Sequence, residues 1–435
     1  MRYQILTLGC PKNDVDAEMM GQLLREAGHV PEASIRRADL LVVNTCAFVH
    51  DARDESYGVL RELAAAKRRG QFLVAAGCLA QRYAGEIYRQ VPGVDAVLGT
   101  QSWPQVADLL RALQNDRRSR PTIAGVSDLL VTSVARRPTA STAYLKIADG
   151  CSATCAFCAI PLIKGPQRSK PQGDILREVR ELVDQGVREI VLIAQNSTAY
   201  GRDLGRGDAL PGLLEEICAA APTLDWLRIL YAYPQDISPR LIETMARLPQ
   251  VCHYVDLPLQ HAHPDVLRRM RRPSDVDAVR RLLEDLRAAM PDMALRTTFI
   301  VGYPGETEDE FAALLAFLEE ERFDKVGVFA YSREEGTRAA DLPDQVPAEV
   351  AAERLERAML AQQGISRQRN EAQVGRTLRV LVEGSSEGLS VGRSYRDAPE
   401  IDGLVLIAGE QEPDAFVQAR VTSAQEYDLV AEVAP

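Results

Sequence analysis

The sequence predicts an α/β protein built from three successive units. Two observations carry this prediction. Short apolar, β-branched segments alternate with amphipathic helical segments through most of the chain, and every helical pattern stops near residue 376. Strand–helix alternation predicts parallel sheets covered by helices, and strands alone predict a small barrel or sandwich. A length of 435 residues allows several domains with cores of their own.

The first unit, residues 1–115, is predicted as a small parallel α/β domain. Its strand-like segments are "YQILTLG", "DLLVVNT", "QFLVAAG" and "VDAVLGT", and helical patterns such as "DAEMMGQLLREAGH" lie between them. Residues 116–140 mix Arg, Pro, Ser and Thr with little periodicity. We interpret them as a linker with room for one short strand.

The second unit, residues 141–374, contains six βα repeats and predicts an incomplete barrel. The strand-like segments are "AYLKIAD", "REIVLIAQ", "LRILYAY", "HYVDLPL", "LRTTFIVG" and "KVGVFAY". In such sheets chemistry gathers at the carboxyl ends of the strands. Residues 375–435 contain only short strands with turn signals, which predicts a small all-β barrel.

Charge and cysteine content narrow the functional classes. The formal net charge is −11, so bulk charge disfavours nucleic acid and fits a basic partner better, although a local basic groove remains compatible with it. No apolar run approaches the ~18 residues of a membrane span, and the N-terminus lacks the pattern of a signal peptide. Eight cysteines are too few for a disulfide scaffold. We therefore expect a cytoplasmic protein whose clustered cysteines bind metal or act in catalysis.

Three cysteines fall within the stretch "GCSATCAFCAIPLIKG", with the spacing C-x3-C-x2-C. Cys151, Cys155 and Cys158 follow the first predicted barrel strand, where an active site is expected. Three thiolates can hold three irons of a 4Fe–4S cube and leave the fourth iron open. S-adenosylmethionine carries an amine and a carboxylate that could chelate that iron. A zinc knuckle completed by a distant histidine is the alternative.

Three more cysteines each follow a predicted strand of the first unit. Cys10, Cys46 and Cys78 should converge, because the carboxyl ends of parallel strands share one edge. Their convergence predicts a second cluster with an open iron, against the alternatives of zinc or simple core cysteines. Cys218 and Cys252 show no such placement, and we predict that both are core residues.

The C-x3-C-x2-C motif, with Phe157 before its last cysteine, resembles the signature of radical S-adenosylmethionine enzymes. The resemblance implies that the second unit is their incomplete (βα)6 barrel and that Phe157 lies beside the adenine. It further implies contacts to S-adenosylmethionine from later strand ends, where the sequence offers Gln195, Gln260 and Arg296. Each of these three could equally be a satisfied polar group of the core.

The segments "TLGCPKND", "NTCAFV" and "GCLAQRY" resemble the N-terminal domain of methylthiotransferases, and residues 375–435 resemble a TRAM domain. The resemblance thus covers the chain. It implies two 4Fe–4S clusters, the first carrying the sulfur to be transferred, and two uses of S-adenosylmethionine, as methyl donor and as radical source. Lys164 and Arg168 are candidates for binding the substrate, with surface charge as the alternative for both. The chemistry also requires an electron donor and a sulfur source, which the sequence does not identify.

Two branches of that family differ in substrate, transfer-RNA adenosine or an aspartate of small-subunit ribosomal protein twelve. "LIAQNSTAYG", "DLPLQHAHPDVLRRM", "RTTFIVGYPGET", "GVFAYSREEGT" and "GRSYRDAPEIDGLV" resemble the second, RimO-type branch. From residue 376 the chain has five basic and eleven acidic residues, a net charge of −6. That charge disfavours RNA and attracts a basic ribosomal protein, free or in the assembled small subunit. The transfer-RNA enzyme and a non-catalytic iron–sulfur or zinc interaction protein remain the alternatives.

Overall fold

The N-terminal unit is a parallel six-stranded sheet flanked by helices. The computed structural model describes residues 1–116, 120–125, 134, 136 and 140–434. Across the sheet the strands are Val30–Pro31, Arg2–Thr7, Leu40–Thr45, Phe72–Gly77, Ala96–Gly99 and Thr122–Ile123. The helices are Pro11–Glu26, His50–Ala66, Cys78–Gln90 and Val106–Asn115, with a 3-10 turn at Trp103–Gln105. The two central strands are buried along their whole length, as expected when helices cover both faces.

The short strand predicted within the linker is present. Thr122–Ile123 pairs in parallel with Ala96–Gly99 and forms one edge of the N-terminal sheet. The other edge strand, Val30–Pro31, has only two residues and carries a proline, which limits further pairing.

The second unit is an open half-barrel, which we call the βα barrel. Its strands follow chain order and all pair in parallel: Thr142–Lys146, Glu189–Ile193, Trp226–Ile229, Tyr254–Asp256, Ala294–Val301 and Lys325–Ala330. Leu227 of the third strand forms an isolated parallel bridge with Val251, which lies just before the fourth strand. The predicted incomplete barrel of six strands is confirmed.

Helices cover the outer face of the βα barrel. They are Ile160–Lys164, Gln172–Asp184, Leu210–Ala220, Pro239–Arg247, Pro264–Met270, Val276–Ala289, Glu308–Glu321 and Ala348–Glu371. Shorter elements are the antiparallel pair Ala148–Asp149 and Arg168–Ser169 and the 3-10 turns Ser197–Ala199, Arg202–Leu204, Pro234–Asp236 and Arg338–Asp341. No helix among the described residues is both long and apolar enough to cross a membrane.

The last unit is a closed five-stranded barrel, which we call the C-terminal barrel. Around it run Thr377–Ser386, Leu389–Ser394, Val405–Ala408, Leu429–Val433 and Phe416–Ala424. Neighbours are antiparallel except for one parallel pair, Val405–Ala408 with Leu429–Val433. Closure leaves no free sheet edge, and the barrel has an apolar core of its own.

The three units share a core at the base of the βα barrel. One apolar cluster joins Met19 of the first unit, Val191 and Trp226 of the βα barrel, and Leu381 and Ala398 of the C-terminal barrel. The half-barrel is therefore sealed by its neighbours rather than by further strands.

Both cysteines predicted to be structural lie in apolar cores. Cys218 is 7% exposed in the main cluster of the βα barrel, and Cys252 is 3% exposed in the core that the three units share. The prediction for these two residues is confirmed.

Candidate functional site

All six motif cysteines line one cavity of about 390 Å³ between the N-terminal unit and the mouth of the βα barrel. The N-terminal triad, Cys10, Cys46 and Cys78, lies at the carboxyl edge of its sheet. The barrel triad, Cys151, Cys155 and Cys158, lies in the loop after the first barrel strands. The structure brings the distant cysteines of the N-terminal sheet to one edge, where the strand-end argument places them, and both triads face the same space.

Glycines let the strands of the N-terminal triad approach closely. Gly9 has φ +97°, and a Cβ added there would lie 2.8 Å from the Cβ of Cys46. Gly77 has φ +91°, and a Cβ added there would overlap the carbonyl oxygen of Thr45. Only glycine combines these backbone conformations with such close contacts, so both positions fix the geometry of the triad.

The barrel triad is held by backbone hydrogen bonds and by one arginine. The amide of Cys151 donates to Gly165 O (3.0 Å), and the amide of Cys158 donates to Cys155 O (3.2 Å). Nη1 of Arg272 lies 3.8 Å from Sγ of Cys155, with its guanidinium 4.0 Å from the centroid of the Tyr233 ring. The positive charge of Arg272 acts to lower the pKa of Cys151 and Cys158 and so favours their thiolate form, which is the form that binds metal.

Burial favours the neutral thiol at two cysteines of the site, Cys78 and Cys158. It raises the pKa of Cys78 to about 12, and nearby Lys164 acts in the opposite direction. It also raises the pKa of Cys158 to about 12, against the charge of Arg272. Metal binding at such thiols must release protons.

The spacing of the sulfur atoms bears on the type of metal centre. In neither triad do all three sulfur atoms lie within 4.8 Å of one another. A single zinc ion at about 2.3 Å from each sulfur needs sulfur atoms roughly 3.8 Å apart. Within the described part of the chain, only one trio of possible ligand atoms lies within 4.8 Å of one another, that of His263, Asp265 and Glu310. In this trio Glu310 already pairs with Arg269 at 2.7 Å.

Three of the four residues predicted to contact S-adenosylmethionine line the cavity: Phe157, Gln195 and Gln260. Gln195 Nε2 donates to Asp149 Oδ1 at 3.1 Å. Its Oε1 is buried and has no hydrogen-bond partner among the described residues. Because a buried acceptor without a donor is costly, this atom fits a hydrogen bond from a bound ligand.

Arg296, the fourth candidate, does not line the cavity. It lies near the start of its strand, where Nη1 is 2.7 Å from Asp256 and Nε is 3.4 Å from Asp402 of the C-terminal barrel. Thr298, two residues further along the same face, does reach the cavity. The sequence pattern identified the strand but not the position along it at which side chains reach the cavity. The contact of Arg296 with the cofactor stays a prediction that this geometry does not favour.

The two candidates for substrate binding differ in position. Lys164 is buried and lines the cavity, with Nζ 3.1 Å from Asp149 and 3.6 Å from Asp16. Burial lowers its pKa, but these two carboxylates outweigh that effect and raise it. The alternative of surface charge is therefore wrong for Lys164. Arg168 lies outside the cavity lining, and its Nη2 donates to Gln101 Oε1 at 3.2 Å.

Sequence reasoning missed several polar and aromatic residues of the lining, namely Lys12, Asn13, Asn196, Tyr231, Tyr233 and Arg272. Lys12 and Asn13 directly follow Cys10 in "GCPKN", so their closeness to a predicted ligand was an available signal. Tyr231 and Tyr233 follow a barrel strand and could have been found by the same strand-end argument. Arg272 follows a short helix, and no periodic pattern marks it.

Family models match three parts of the chain. The uncharacterized protein family UPF0004 matches residues 2–99, the radical SAM superfamily residues 145–318, and the TRAM domain residues 374–434. Among curated proteins, the chain is 53% identical to the ribosomal protein uS12 methylthiotransferase RimO of Roseiflexus sp. (strain RS-1), covering 100% of this chain and 97% of that protein. The protein of the same name from Chloroflexus aurantiacus is 51% identical, and the alignment covers 99% of this chain and 99% of that protein. The one from Geobacter sulfurreducens is 44% identical, and the alignment covers 99% of this chain and 98% of that protein.

Solved structures support the fold. The radical S-adenosylmethionine methyltransferase TsrM of Kitasatospora setae, with cobalamin and a [4Fe-4S] cluster bound, superimposes with a TM-score of 0.59 at 14% identity, over 90% of this chain and 80% of that one. The cobalamin-dependent S-adenosylmethionine radical enzyme OxsB gives a TM-score of 0.53 at 11% identity, over 83% and 56% of the two chains. At these identities the likeness concerns the fold alone.

Proposed function

This chain belongs to the RimO family of ribosomal protein uS12 methylthiotransferases, and we propose that its two cysteine triads each hold a 4Fe–4S cluster facing a common substrate cavity. It is a radical S-adenosylmethionine enzyme that methylthiolates ribosomal protein uS12. The reaction replaces a hydrogen on the β-carbon of an aspartate. The observation that carries the proposal is the single cavity lined by all six cysteines.

The donor set fits two clusters with open irons. Each triad offers three thiols. Among the described residues no cysteine besides these six lines the cavity, and none of the cysteines forms a disulfide. When bound, the barrel cluster and S-adenosylmethionine supply a radical for the unactivated carbon, and the other cluster supplies the methylthio group.

The protein residues of the cavity orient the reactants and exclude water. Phe157 offers an apolar face to the adenine, and Gln195 offers its unpaired acceptor oxygen. Arg272 supplies a fixed positive charge beside the barrel triad, suited to a carboxylate. The lining is mostly apolar around a few polar groups, as in small-molecule sites generally.

The surface charge of the C-terminal barrel supports a protein substrate over RNA. Arg393 and Arg396 are buried against the βα barrel, so they cannot contact a partner. The exposed charged residues are two arginines and seven acids: Arg376, Arg420, Glu383, Glu387, Glu400, Glu410, Glu412, Asp414 and Glu432. The exposed surface thus keeps most of the acidity seen in the sequence, and it would repel phosphates.

Reversing the charge of one acidic patch tests this point. The patch, which we call the acidic tip, comprises Glu387, Glu410 and Glu412, brought together where Gly409 N donates to Gly388 O at 2.9 Å. Changing all three to lysine is expected to slow association with uS12 roughly 10-fold at low salt, with the difference fading near 0.5 M salt. Stopped-flow or surface binding measures the rate.

The control for the acidic tip carries the same change of net charge elsewhere. Glu62, Glu349 and Glu356 are exposed acids outside the C-terminal barrel, and the triple lysine variant at these positions should associate nearly as fast as wild type. An equal loss of rate in both variants would show that overall charge, rather than the tip, steers the substrate.

Mass spectrometry of the substrate tests the function itself. Protein reconstituted anaerobically with iron and sulfide is incubated with uS12, S-adenosylmethionine and a reductant. We expect a gain of about 46 Da on one aspartate of uS12, the mass of a methylthio group replacing hydrogen, and none on transfer RNA. Modified transfer RNA with unmodified uS12 would instead support the transfer-RNA branch. Comparing free uS12 with assembled small subunits as substrates identifies the form that is modified. We place the reaction in the cytoplasm, where ribosomes assemble.

A further inference from the structure

Lys12 is a buried lysine that forms no ion pair with any acidic residue that the structure describes. It is 7% exposed, on the first turn of the helix Pro11–Glu26, and its side chain lines the cavity between the two triads. Its Nζ lies 3.2 Å from the centroid of the Tyr231 ring, which belongs to the mouth of the βα barrel. Lys12 therefore reaches from the N-terminal unit across the cavity.

The other buried lysines differ from Lys12 in having a carboxylate. Lys146 pairs with Asp16, Lys164 with Asp149, Lys170 with Glu178, and Lys325 with Asp397. Within the described residues no carboxylate oxygen lies within 4.0 Å of Lys12 Nζ, and no hydrogen bond to it is formed. Lysine is rarely buried without a partner, because removing its charge from water is costly. Contact with the Tyr231 ring offsets only part of that cost.

The carboxylates around Lys12 are already engaged. Asp16 and Asp149 pair with Lys146 and Lys164, and Asp256 pairs with Arg296 at 2.7 Å. Asp16 and Asp149 each contact both Lys146 and Lys164, and Arg296 contacts Asp402 as well as Asp256, so a turn of any of these carboxylates toward Lys12 would weaken an ion pair already formed. The positive charge is thus directed at whatever occupies the cavity.

We propose that Lys12 binds the side-chain carboxylate of the substrate aspartate and so places its β-carbon between the two triads. This inference rests on the proposed function. The reacting carbon is one bond from the carboxylate, and the reaction leaves the carboxylate unchanged. A cation can therefore hold that group without obstructing the chemistry, and it also selects aspartate over a nucleobase, which has no anionic group there.

Two other anions could bind Lys12, and binding of either would give a different experimental result from binding of the substrate carboxylate. The carboxylate of S-adenosylmethionine has a nearer cation at the barrel triad, since Arg272 Nη1 lies 3.8 Å from Cys155 Sγ. Sulfur carried on the N-terminal triad is the second. In either of these cases, loss of Lys12 would affect all protein substrates alike.

A double-mutant cycle on binding separates these cases. Two forms of uS12 are used, one with its target aspartate intact and one with that aspartate changed to asparagine. Anaerobic calorimetry without reductant measures the binding of each form to the reconstituted wild type and to the reconstituted Lys12→Gln variant. Each single change is expected to weaken binding roughly 100-fold, since it leaves a buried charge unpaired. The second change should then add less than about 3-fold. Lys12→Arg should recover much of the affinity for the aspartate substrate.

Controls keep the test independent of folding and of the proposed function. Lys67→Met removes the other lysine of the N-terminal unit, which pairs with Asp95 at 2.8 Å outside the cavity, and should bind both substrates as wild type does. Iron content and the cluster spectrum of Lys12→Gln must match those of wild type. An equal loss of affinity for both substrates in Lys12→Gln would overturn the inference. Failure of wild type to methylthiolate uS12 would overturn the proposed function instead.

Discussion

Replacing either cysteine triad with alanine is expected to halve the iron content, from about eight to about four per chain, because each triad holds one cube of four irons. The two variants should then differ in chemistry. Without the barrel triad, reductive cleavage of S-adenosylmethionine should stop, since the open iron that binds it is absent. Without the N-terminal triad, cleavage should continue but no methylthiolated uS12 should form. The expected loss of product exceeds 1,000-fold in both.

Iron analysis and product analysis on the same samples make this prediction sharp. Iron and sulfide are determined after anaerobic reconstitution, 5′-deoxyadenosine by chromatography, and modified uS12 by mass spectrometry. Cys218→Ala is the matched control, because it removes a buried cysteine from the apolar core and away from the cavity. It should keep eight irons and full activity. Zinc, or four irons in wild type, would contradict the two-cluster proposal.

The parts of the site that could be predicted follow from rules local to one sheet. Cys10, Cys46 and Cys78 each follow a strand of the N-terminal sheet, and these strands pair in parallel with their carboxyl ends together. Topology therefore brings residues far apart in sequence to one edge. The barrel triad needed even less, because its three cysteines lie within eight residues of one loop.

What could not be predicted depends on how the units dock. The cation of Lys12 meets the ring of Tyr231, 219 residues later in the chain, only because the N-terminal sheet faces the barrel mouth. Arg296 pairs with Asp256 of its own barrel at 2.7 Å and also contacts Asp402 of the C-terminal unit at 3.4 Å, and this second contact exists only because the two units dock. No periodicity within one unit encodes a contact of this kind, since each partner also fits its own element as an ordinary surface or core residue.

The same docking decides which charges of the C-terminal barrel are at the surface. Counting charges from residue 376 treats every arginine and acid as surface, yet Arg393, Arg396 and Asp397 are buried in the joint with the βα barrel. Arg396 pairs with Asp324 at 2.7 Å, and Asp397 pairs with Lys325 at 2.8 Å. These charges fix the C-terminal barrel in place, and only the remaining acidic surface is available to a substrate.

The largest effect on stability is expected at Glu189, where that joint concentrates buried charge. Its carboxylate lies 2.8 Å from Arg228 Nε and 2.7 Å from Arg393 Nη2, and all three side chains are at most 1% exposed. Burial alone would raise the pKa of Glu189, but the two guanidinium groups outweigh it and lower the pKa to about 2. Since a lowered carboxylate pKa stabilises the fold above the unfolded value of 4.5, this contribution is complete at neutral pH and is lost only as the pH falls toward about 2.

Glu189→Gln should therefore cost roughly 3–5 kcal/mol at pH 7, because it removes the carboxylate that pairs with buried Arg228 and leaves Arg393 with only the partly exposed Glu383. Thermal unfolding should show a lower midpoint, by the same amount at pH 6 and pH 8. Hydrogen exchange should rise first in residues 377–433, where Arg393 anchors the C-terminal barrel. Glu383→Gln is the matched control: Glu383 also contacts Arg393, at 2.6 Å, but its side chain is 37% exposed, so its loss should cost under about 1 kcal/mol. Adding Arg393→Met to Glu189→Gln should restore part of the stability, since it removes one of the two buried cations that have lost the Glu189 carboxylate. Equal costs for Glu189→Gln and Glu383→Gln would mean that the buried charges do not hold the joint.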